Sequence, residues 1–242
     1  MSSFSILKEK FARLIFPPKC IFCEMVIMPE ELHEPEIYIC PKCFNKIEFF
    51  ECERYLVNRM NHSNAFDEIV TLFKYTGMIK ESILRFKYFD KPSYYRTFAK
   101  LLANRINKLT DASKFDMIIS VPLHKRKEYL RGFNQSKLIS KALSRELGIP
   151  EKSSLMVRLK DTESQSLLNR EKRLSNIKGA FKVVEPCSVN GKRILLIDDV
   201  LTTGSTINEC AKALKDAGAE SVTAAVLATG RNFGRRAEHA GR

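Results

Sequence analysis

The segment from residue 194 to residue 206 carries the side chains best suited to chemistry. An apolar run ends in the adjacent acids Asp198 and Asp199, and a short loop rich in hydroxyl groups follows. Carboxylates accept hydrogen bonds from sugar hydroxyls, and backbone N–H groups at the start of a helix can hold a phosphate. The pattern therefore predicts a site for a phosphorylated sugar, with these residues around the phosphate: Thr202, Thr203, Gly204, Ser205 and Thr206.

Two other interpretations of this segment are open. A Walker B strand of a nucleotide-hydrolysing enzyme also ends in acids, but no GxxxxGK[ST] loop occurs among the ten glycines of the chain. A plain strand, turn and helix with surface acids is the second alternative. The context of the motif favours the phosphorylated-sugar interpretation over this alternative.

Two pairs of cysteines near the N-terminus have the spacing of a metal site. The pairs are separated by 16 residues, which is typical of zinc ribbons. Four thiolates leave no open coordination position, so we predict a structural Zn²⁺ without a catalytic role. Cys52 and His33 are alternative ligands, and two redox-active or unrelated pairs are the other interpretation. The predicted ligands are Cys20, Cys23, Cys40 and Cys43.

Basic residues cluster after a predicted strand at residues 117–121. Their charges, in what we expect to be a loop, would neutralise a pyrophosphate, and Arg173 further along the chain would close over it. We expect Mg²⁺ to accompany such a diphosphate, because the ion is usually held by the ligand and by few protein groups. The basic residues of this loop are Lys125, Arg126, Lys127 and Arg131.

Aromatic and basic residues interleave between residues 73 and 105. Single-stranded nucleic acid is bound by this mixture, since cations contact the phosphates and aromatic rings stack on the bases. The alternative is that the aromatic rings belong to the core and the lysines to a solvated face. The candidates for nucleic-acid contact are Lys74, Tyr75, Arg85, Lys87 and Tyr88.

An α/β fold is predicted to position these candidates. Apolar runs predict strands at residues 117–121, 155–159, 193–197 and 221–228, and helical periodicity predicts helices at 135–147 and 206–217. Two further amphipathic helices, at 79–89 and 95–109, precede them. Such alternation predicts a parallel sheet with helices on both faces and ligands at the carboxyl ends of its strands.

The net charge of +13 is unevenly distributed along the 242 residues. Residues 1–60 hold 8 basic and 9 acidic side chains, whereas the remainder holds 33 and 19. This excess predicts an anionic partner, with simple solubility as the alternative. We expect a zinc-ribbon module at residues 1–60, an α/β domain at 61–230 and a disordered basic tail at 231–242.

Cysteine usage and hydropathy predict the compartment. Cys52, Cys187 and Cys210 are scattered and give an odd total of seven, which suits a reducing environment better than a disulfide framework. No apolar run reaches the roughly 20 residues of a membrane span, and the N-terminus lacks the features of a signal peptide. We therefore expect a cytoplasmic protein without stable membrane insertion.

Four stretches resemble the motifs of known families. Residues 194–206 resemble the diphosphoribose-binding motif of type I phosphoribosyltransferases. The ComF family of competence-associated proteins has signatures similar to VPLH at 121–124 with RGFNQ at 131–135, to RxxxTxxQxxLxxxxRxxN at 158–176, and to the FPP that precedes the first cysteine pair. The resemblance covers nearly the whole chain. It implies that Asp198 and Asp199 bind the ribose diol, that residues 202–206 surround the 5′-phosphate, and that residues 158–181 form the hood loop.

The ComF resemblance implies a function in natural transformation. A member of this family is expected to handle imported single-stranded DNA, to retain a phosphoribosyl-diphosphate site and to have a competence helicase as a partner. A working phosphoribosyltransferase with a nitrogen acceptor is the alternative, and a regulator that senses the diphosphate is a third interpretation. Thr202 stands where hypoxanthine-type enzymes of this fold carry an acidic general base, which argues against that chemistry.

Overall fold

The computed structural model describes residues 17–32, 34–50, 55–56, 65–89, 91–161 and 177–230. Several predictions concern residues outside these ranges. They are the hood residue Arg173, the alternative zinc ligands His33 and Cys52, and the basic tail at 231–242.

Seven strands and seven α-helices occur in the described ranges, together with three short 3₁₀ segments. None of these helices is both long enough and apolar enough to cross a lipid bilayer. The strands are β1 (Tyr55–Leu56), β2 (Glu68–Lys74), β3 (Met117–Ser120), β4 (Met156–Arg158), β5 (Phe181–Val183), β6 (Arg193–Leu201) and β7 (Ser221–Thr229). The helices are α1 (Pro41–Phe44), α2 (Gly77–Tyr88), α3 (Tyr94–Leu109), α4 (Lys125–Arg131), α5 (Gln135–Leu147), α6 (Pro186–Val189) and α7 (Ser205–Asp216).

Five strands form the central sheet, in the order β1-β2-β7-β6-β3. Strand β1 pairs antiparallel with β2, and all other neighbours are parallel. Alternate residues of β6 face opposite layers, so Leu195 and Ile197 join one buried cluster while Ile194 and Leu196 join the other. Helices α2, α3 and α5 cover the first face and α7 covers the second, which confirms the predicted parallel sheet with helices on both faces.

Local capping signals explain why α5 has the predicted bounds. The Asn134 side chain accepts a hydrogen bond from the Lys137 N–H at 3.3 Å, and Gly148 ends the helix with a left-handed φ of 69°. The basic stretch after β3 was predicted as a loop, and that prediction is wrong. It forms helix α4, because lysine, arginine and leucine favour helix and Gly132 ends it with a φ of 81°.

The four-cysteine region packs directly on α2 and α3. Its apolar residues, among them Ile21 and Ile39, belong to the same buried cluster as the residues of these helices. Hydrogen bonds add to this contact, since the Tyr38 N–H donates to the Thr97 hydroxyl and that hydroxyl donates to the Glu36 carbonyl. The described residues of the predicted 1–60 module therefore share a core with helices α2 and α3.

Candidate ligand site and metal centre

The acids Asp198 and Asp199 lie towards the carboxyl end of β6, which continues past the predicted end of the strand. Asp198 Oδ1 accepts hydrogen bonds from the Ser136 hydroxyl at 3.1 Å and from the Asp199 N–H at 2.9 Å. Burial, and after it the charge of Asp199, raise the pKa of Asp198 to about 7. One of the two carboxyl groups therefore titrates near neutral pH.

The side chain of Lys87 reaches these acids from α2. Its Nζ lies 2.8 Å from Asp199 Oδ1, and the two side chains are only 18% and 12% exposed. Burial disfavours the charged form of Lys87, but the carboxylates of Asp199 and Asp198 outweigh burial and raise the pKa of Lys87. The site thus contains two acids and a resident cation.

The loop after β6 gathers hydroxyl groups at the start of α7. Gly204 has a φ of 80°, a left-handed conformation that favours glycine, and it allows the chain to turn into the 12-residue helix. The hydroxyl oxygens of Thr203 and Ser205 lie 2.9 Å apart. Hydroxyls and the first N–H groups of a helix are the partners that a phosphate group needs. The structure places on this turn Thr202, Thr203, Gly204, Ser205 and Thr206.

Arg131, at the end of α4, contacts the C-terminal end of α2. Its Nη1 donates to Gln135 Oε1 at 2.6 Å, and its guanidinium carbon lies 5.0 Å from the centroid of the Tyr88 ring. The Gln135 amide in turn donates to the Lys87 carbonyl at 3.4 Å. Arg131 is therefore held close to the residues that surround the two acids.

The other predicted pyrophosphate residues lie on the first turn of α4. Lys125 and Arg126 are exposed and Lys127 is half-buried. Arg126 Nη1 lies 3.5 Å from Asp161 Oδ2, and the His124 ring is 3.6 Å from the same carboxylate. The first turn of α4 thus faces Asp161, within the stretch predicted as the hood, whereas Arg131 faces α2.

The five candidates for nucleic-acid contact lie in three different surroundings. Lys74 forms an exposed ion pair near the end of β2. Arg85 donates hydrogen bonds to the carbonyl groups of Ile21 and Phe22, which lie between the first two cysteines. Tyr75, Lys87 and Tyr88 lie around the acids of β6, where burial raises the pKa of Tyr75. Nucleic-acid contact by these residues stays a prediction.

The Sγ atoms of the four predicted zinc ligands lie within 4.8 Å of one another. Cys23 Sγ and Cys40 Sγ are 3.6 Å apart, and a tetrahedral ion with bonds of about 2.3 Å requires sulfur atoms about 3.8 Å apart. Burial raises the pKa of Cys23 and Cys43, whereas at Cys20 burial is outweighed by backbone hydrogen bonds, which lower its pKa. Four thiolates at this distance repel one another, so a bound cation would be needed to hold all of them ionised. The cluster can hold one metal ion.

Two residues of the ligand site were missed by sequence reasoning. Ser136 directly follows the RGFNQ motif, at the start of a predicted helix. This position next to the motif could have identified Ser136 as a candidate site residue. Lys87 was assigned to nucleic-acid contact because its neighbours are aromatic and basic. Only the packing of α2 against the carboxyl end of β6 brings Lys87 to Asp199.

Comparisons with known proteins identify a matching domain family and several relatives of this chain. Residues 137–239 match the family model of the phosphoribosyl transferase domain. The chain is 34% identical to competence protein F of Haemophilus influenzae over 187 residues, which are 76% of this chain and 81% of that protein. It is also 34% identical to the DNA utilization protein YhgH of Escherichia coli over 157 residues, 64% of this chain and 68% of that protein. Among solved structures, a glutamine phosphoribosylpyrophosphate amidotransferase from Bacillus subtilis matches 59% of this chain and 30% of its own, at 19% identity and a TM-score of 0.40.

Proposed function

Because this chain belongs to the ComF family of competence proteins, we propose that it handles single-stranded DNA during DNA uptake and binds phosphoribosyl diphosphate at the carboxyl end of β6. One observation carries the diphosphate proposal: strand β6 has two acids towards its carboxyl end, and a turn lined with hydroxyl groups then leads into helix α7. The free thiols of Cys187 and Cys210, which lie outside the four-cysteine cluster, suit a cytoplasmic site of action.

The ligand would bind across three structural elements. Asp198 and Asp199 would accept hydrogen bonds from the ribose hydroxyls, and the turn at residues 202–206 would surround the 5′-phosphate. Arg131 would bind the pyrophosphate end, because a guanidinium group pairs well with phosphate oxygens. Mg²⁺ would enter with the ligand, bound mainly to diphosphate oxygens and neutralising part of their charge.

Zn²⁺ is the metal that fits the four-cysteine cluster best. Soft thiolate ligands in a closed, tetrahedral arrangement favour zinc over magnesium or calcium. The ion would stabilise the fold, since no coordination position stays open for substrate. We therefore assign the zinc to structure and the magnesium to ligand binding.

Calorimetric titration of the zinc-loaded protein with phosphoribosyl diphosphate and Mg²⁺ tests the ligand site. We expect Asp199→Asn to weaken binding by roughly a hundredfold, since a charged hydrogen-bond acceptor is lost. Asp216→Asn, an exposed acid at the far end of α7, is the matched control and should bind as the wild type does. A wild-type protein that gives no binding heat with this ligand would overturn the proposal.

A basic and aromatic groove supports the DNA-handling part of the proposal. It lies between the first cysteine pair and the start of α3 and encloses about 440 Å³. Lys91 pairs with Glu24 and Tyr94 is buried, but Lys19 and Arg96 are exposed. Exposed cations near the half-buried Tyr38 ring suit a single strand, since phosphates and base faces are recognised together. A competence helicase would deliver the strand. The residues that line the groove include Lys19, Lys91, Arg96, Tyr38, Tyr94 and one acid, Glu24.

Fluorescence anisotropy with a labelled oligonucleotide tests DNA binding. We expect micromolar or tighter binding at about 50 mM salt and a steep loss of affinity as salt rises, because counterions are released on binding. Arg96→Gln should reduce the salt slope by about 1, whereas Lys212→Gln on the exposed side of α7 should leave it unchanged. An absence of binding at low salt would exclude this function.

A working phosphoribosyltransferase is the second candidate function, and the position of Arg131 favours it, because Arg131 contacts Tyr88, the neighbour of the Lys87 that pairs with Asp199. The bond between ribose C1 and the pyrophosphate oxygen would break as a bond to an acceptor nitrogen forms. Pyrophosphate would leave towards Arg131, and the nitrogen would lose its proton to solvent, because Thr202 cannot act as a base. Pyrophosphate release with a panel of nitrogen acceptors distinguishes a transferase from a binding protein.

A further inference from the structure

One face of helix α2 contacts the first cysteine pair. The Ser82 hydroxyl donates to the Ile21 carbonyl at 2.6 Å, and Arg85 Nη2 donates to the Ile21 carbonyl at 3.2 Å and to the Phe22 carbonyl. Ile21 and Phe22 are the two residues between Cys20 and Cys23. The helix is thus hydrogen-bonded to the backbone of the segment that presents two of the four metal ligands.

The opposite face of α2 contacts the diphosphate site. Lys87 lies two residues after Arg85, which is about 200° around the helix and about 3 Å along its axis. Its Nζ pairs with Asp199, and the next residue, Tyr88, lies under the guanidinium of Arg131. Little more than half a turn of helix therefore separates Arg85, which contacts the cysteine-pair segment, from Lys87, which contacts the acids of β6.

Packing fixes the helix between these two regions. Ile83 and Phe86 are completely buried, and the Phe86 ring lies 5.7 Å from the Phe98 ring and 6.0 Å from the Phe133 ring. Close-packed side chains of this kind transmit displacements, because no empty space absorbs them. A shift of α2 at Arg85 would consequently move Lys87 as well.

We infer that α2 couples the metal cluster to the diphosphate site, with Lys87 as the positioning residue, a role that rests on the function proposed above. Two adjacent carboxylates repel each other and repel a diphosphate anion. Lys87 supplies the counter-charge that allows both acids to face such a ligand. The segment of the first cysteine pair fixes the position of α2. It thereby keeps the Lys87 ammonium group within contact of Asp199.

Substitution of Lys87 tests its role through diphosphate affinity. Lys87→Met should weaken binding of phosphoribosyl diphosphate and Mg²⁺ by roughly tenfold to a hundredfold, since a charged partner is lost. Lys87→Arg should restore most of the affinity, which a purely structural role would not predict. Lys80→Met, an exposed lysine on the same helix, is the matched control and should bind like the wild type.

A double-mutant cycle tests the coupling through α2. Arg85→Gln should keep one zinc ion per chain and weaken diphosphate binding by roughly threefold to tenfold. Adding Arg85→Gln to Lys87→Met should cause no further loss of diphosphate affinity. The Lys87→Met variant has no ammonium group, so a shift of α2 has no charge left to misplace. Ser82→Ala probes the same contact if Arg85→Gln does not fold.

The outcomes separate this inference from the proposed function. The coupling is overturned if the losses of affinity are additive in the double variant, or if the single variants bind the diphosphate like the wild type. Either result leaves the proposed diphosphate site intact. A wild-type protein that does not bind the diphosphate overturns both. Non-additive losses with full zinc content, together with recovery in Lys87→Arg, are the expected result.

Discussion

The four-cysteine cluster and the diphosphate site differ in how the chain assembles them. All four thiolates come from two short segments in the first 43 residues, and each segment presents its pair through local backbone geometry. The site at β6 instead takes its residues from four separate helices and one strand: α2, α4, α5, α7 and β6. A closed metal centre can be built locally, whereas an open ligand site depends on the whole fold.

The two regions also differ in whether their residues make contacts with distant parts of the chain. In the cluster, the cysteine side chains contact mainly one another and their own two segments, as where the Cys40 N–H donates to Cys20 Sγ at 3.4 Å. In the ligand site, Lys87 pairs with Asp199 through its side chain and with Gln135 through its carbonyl. Residues of the open site therefore serve both the fold and the ligand, and substitutions there will change both.

The largest effect should follow from removing one ligand of the closed centre. Cys40→Ser should release the zinc ion and lower the unfolding temperature by roughly 10 °C or more, because structural zinc contributes on the order of 10 kcal/mol. Metal analysis and a thermal melt measure both quantities. Cys187→Ser, an exposed cysteine elsewhere, is the control. A Cys40→Ser protein that keeps one zinc per chain would contradict the assignment.

An intermediate effect is expected in the open site. Arg131→Lys keeps the positive charge but loses the planar group that bonds to Gln135 and stacks on Tyr88. Affinity for pyrophosphate with Mg²⁺ should fall roughly tenfold, measured by calorimetry, without a change in zinc content. Arg145→Lys on the exposed side of α5 should have no effect. Equal affinities for Arg131→Lys and the wild type would show that pyrophosphate does not use this guanidinium.

The smallest effect concerns the protonation of Asp198. Its pKa of about 7 lies above the ordinary 3.8, so the folded protein binds this proton more tightly than the unfolded chain. The contribution of Asp198 to the free energy of unfolding should consequently decrease as the pH rises from 3.8 to about 7. Asp199→Asn should lower the pKa of Asp198, since the Asp199 charge is one of its causes. Carbon-13 NMR of labelled aspartate carboxyls measures the midpoint, and an unchanged midpoint in Asp199→Asn would contradict this account.

The sequence predicts well what depends on neighbouring residues. The bounds of α5 follow from Asn134 and Gly148, and the cysteine cluster follows from its spacing. Strand β2 was not predicted, because its residues are buried on both faces and therefore lack the alternation of a half-exposed strand. Lys87 and Asp199 are 112 positions apart in the sequence, so no local sequence pattern predicts that they pair.

The core that the four-cysteine region shares with α2 and α3 has a consequence for synthesis on the ribosome. The cysteines emerge before the helices that cover Ile21, Phe22 and Ile39, and these helices are completed only at residue 109. Synthesis proceeds at roughly 5 to 20 residues per second, so these apolar side chains stay without their packing partners for several seconds. The nascent chain therefore passes through a stage in which its metal-binding end is a target for chaperones and proteases.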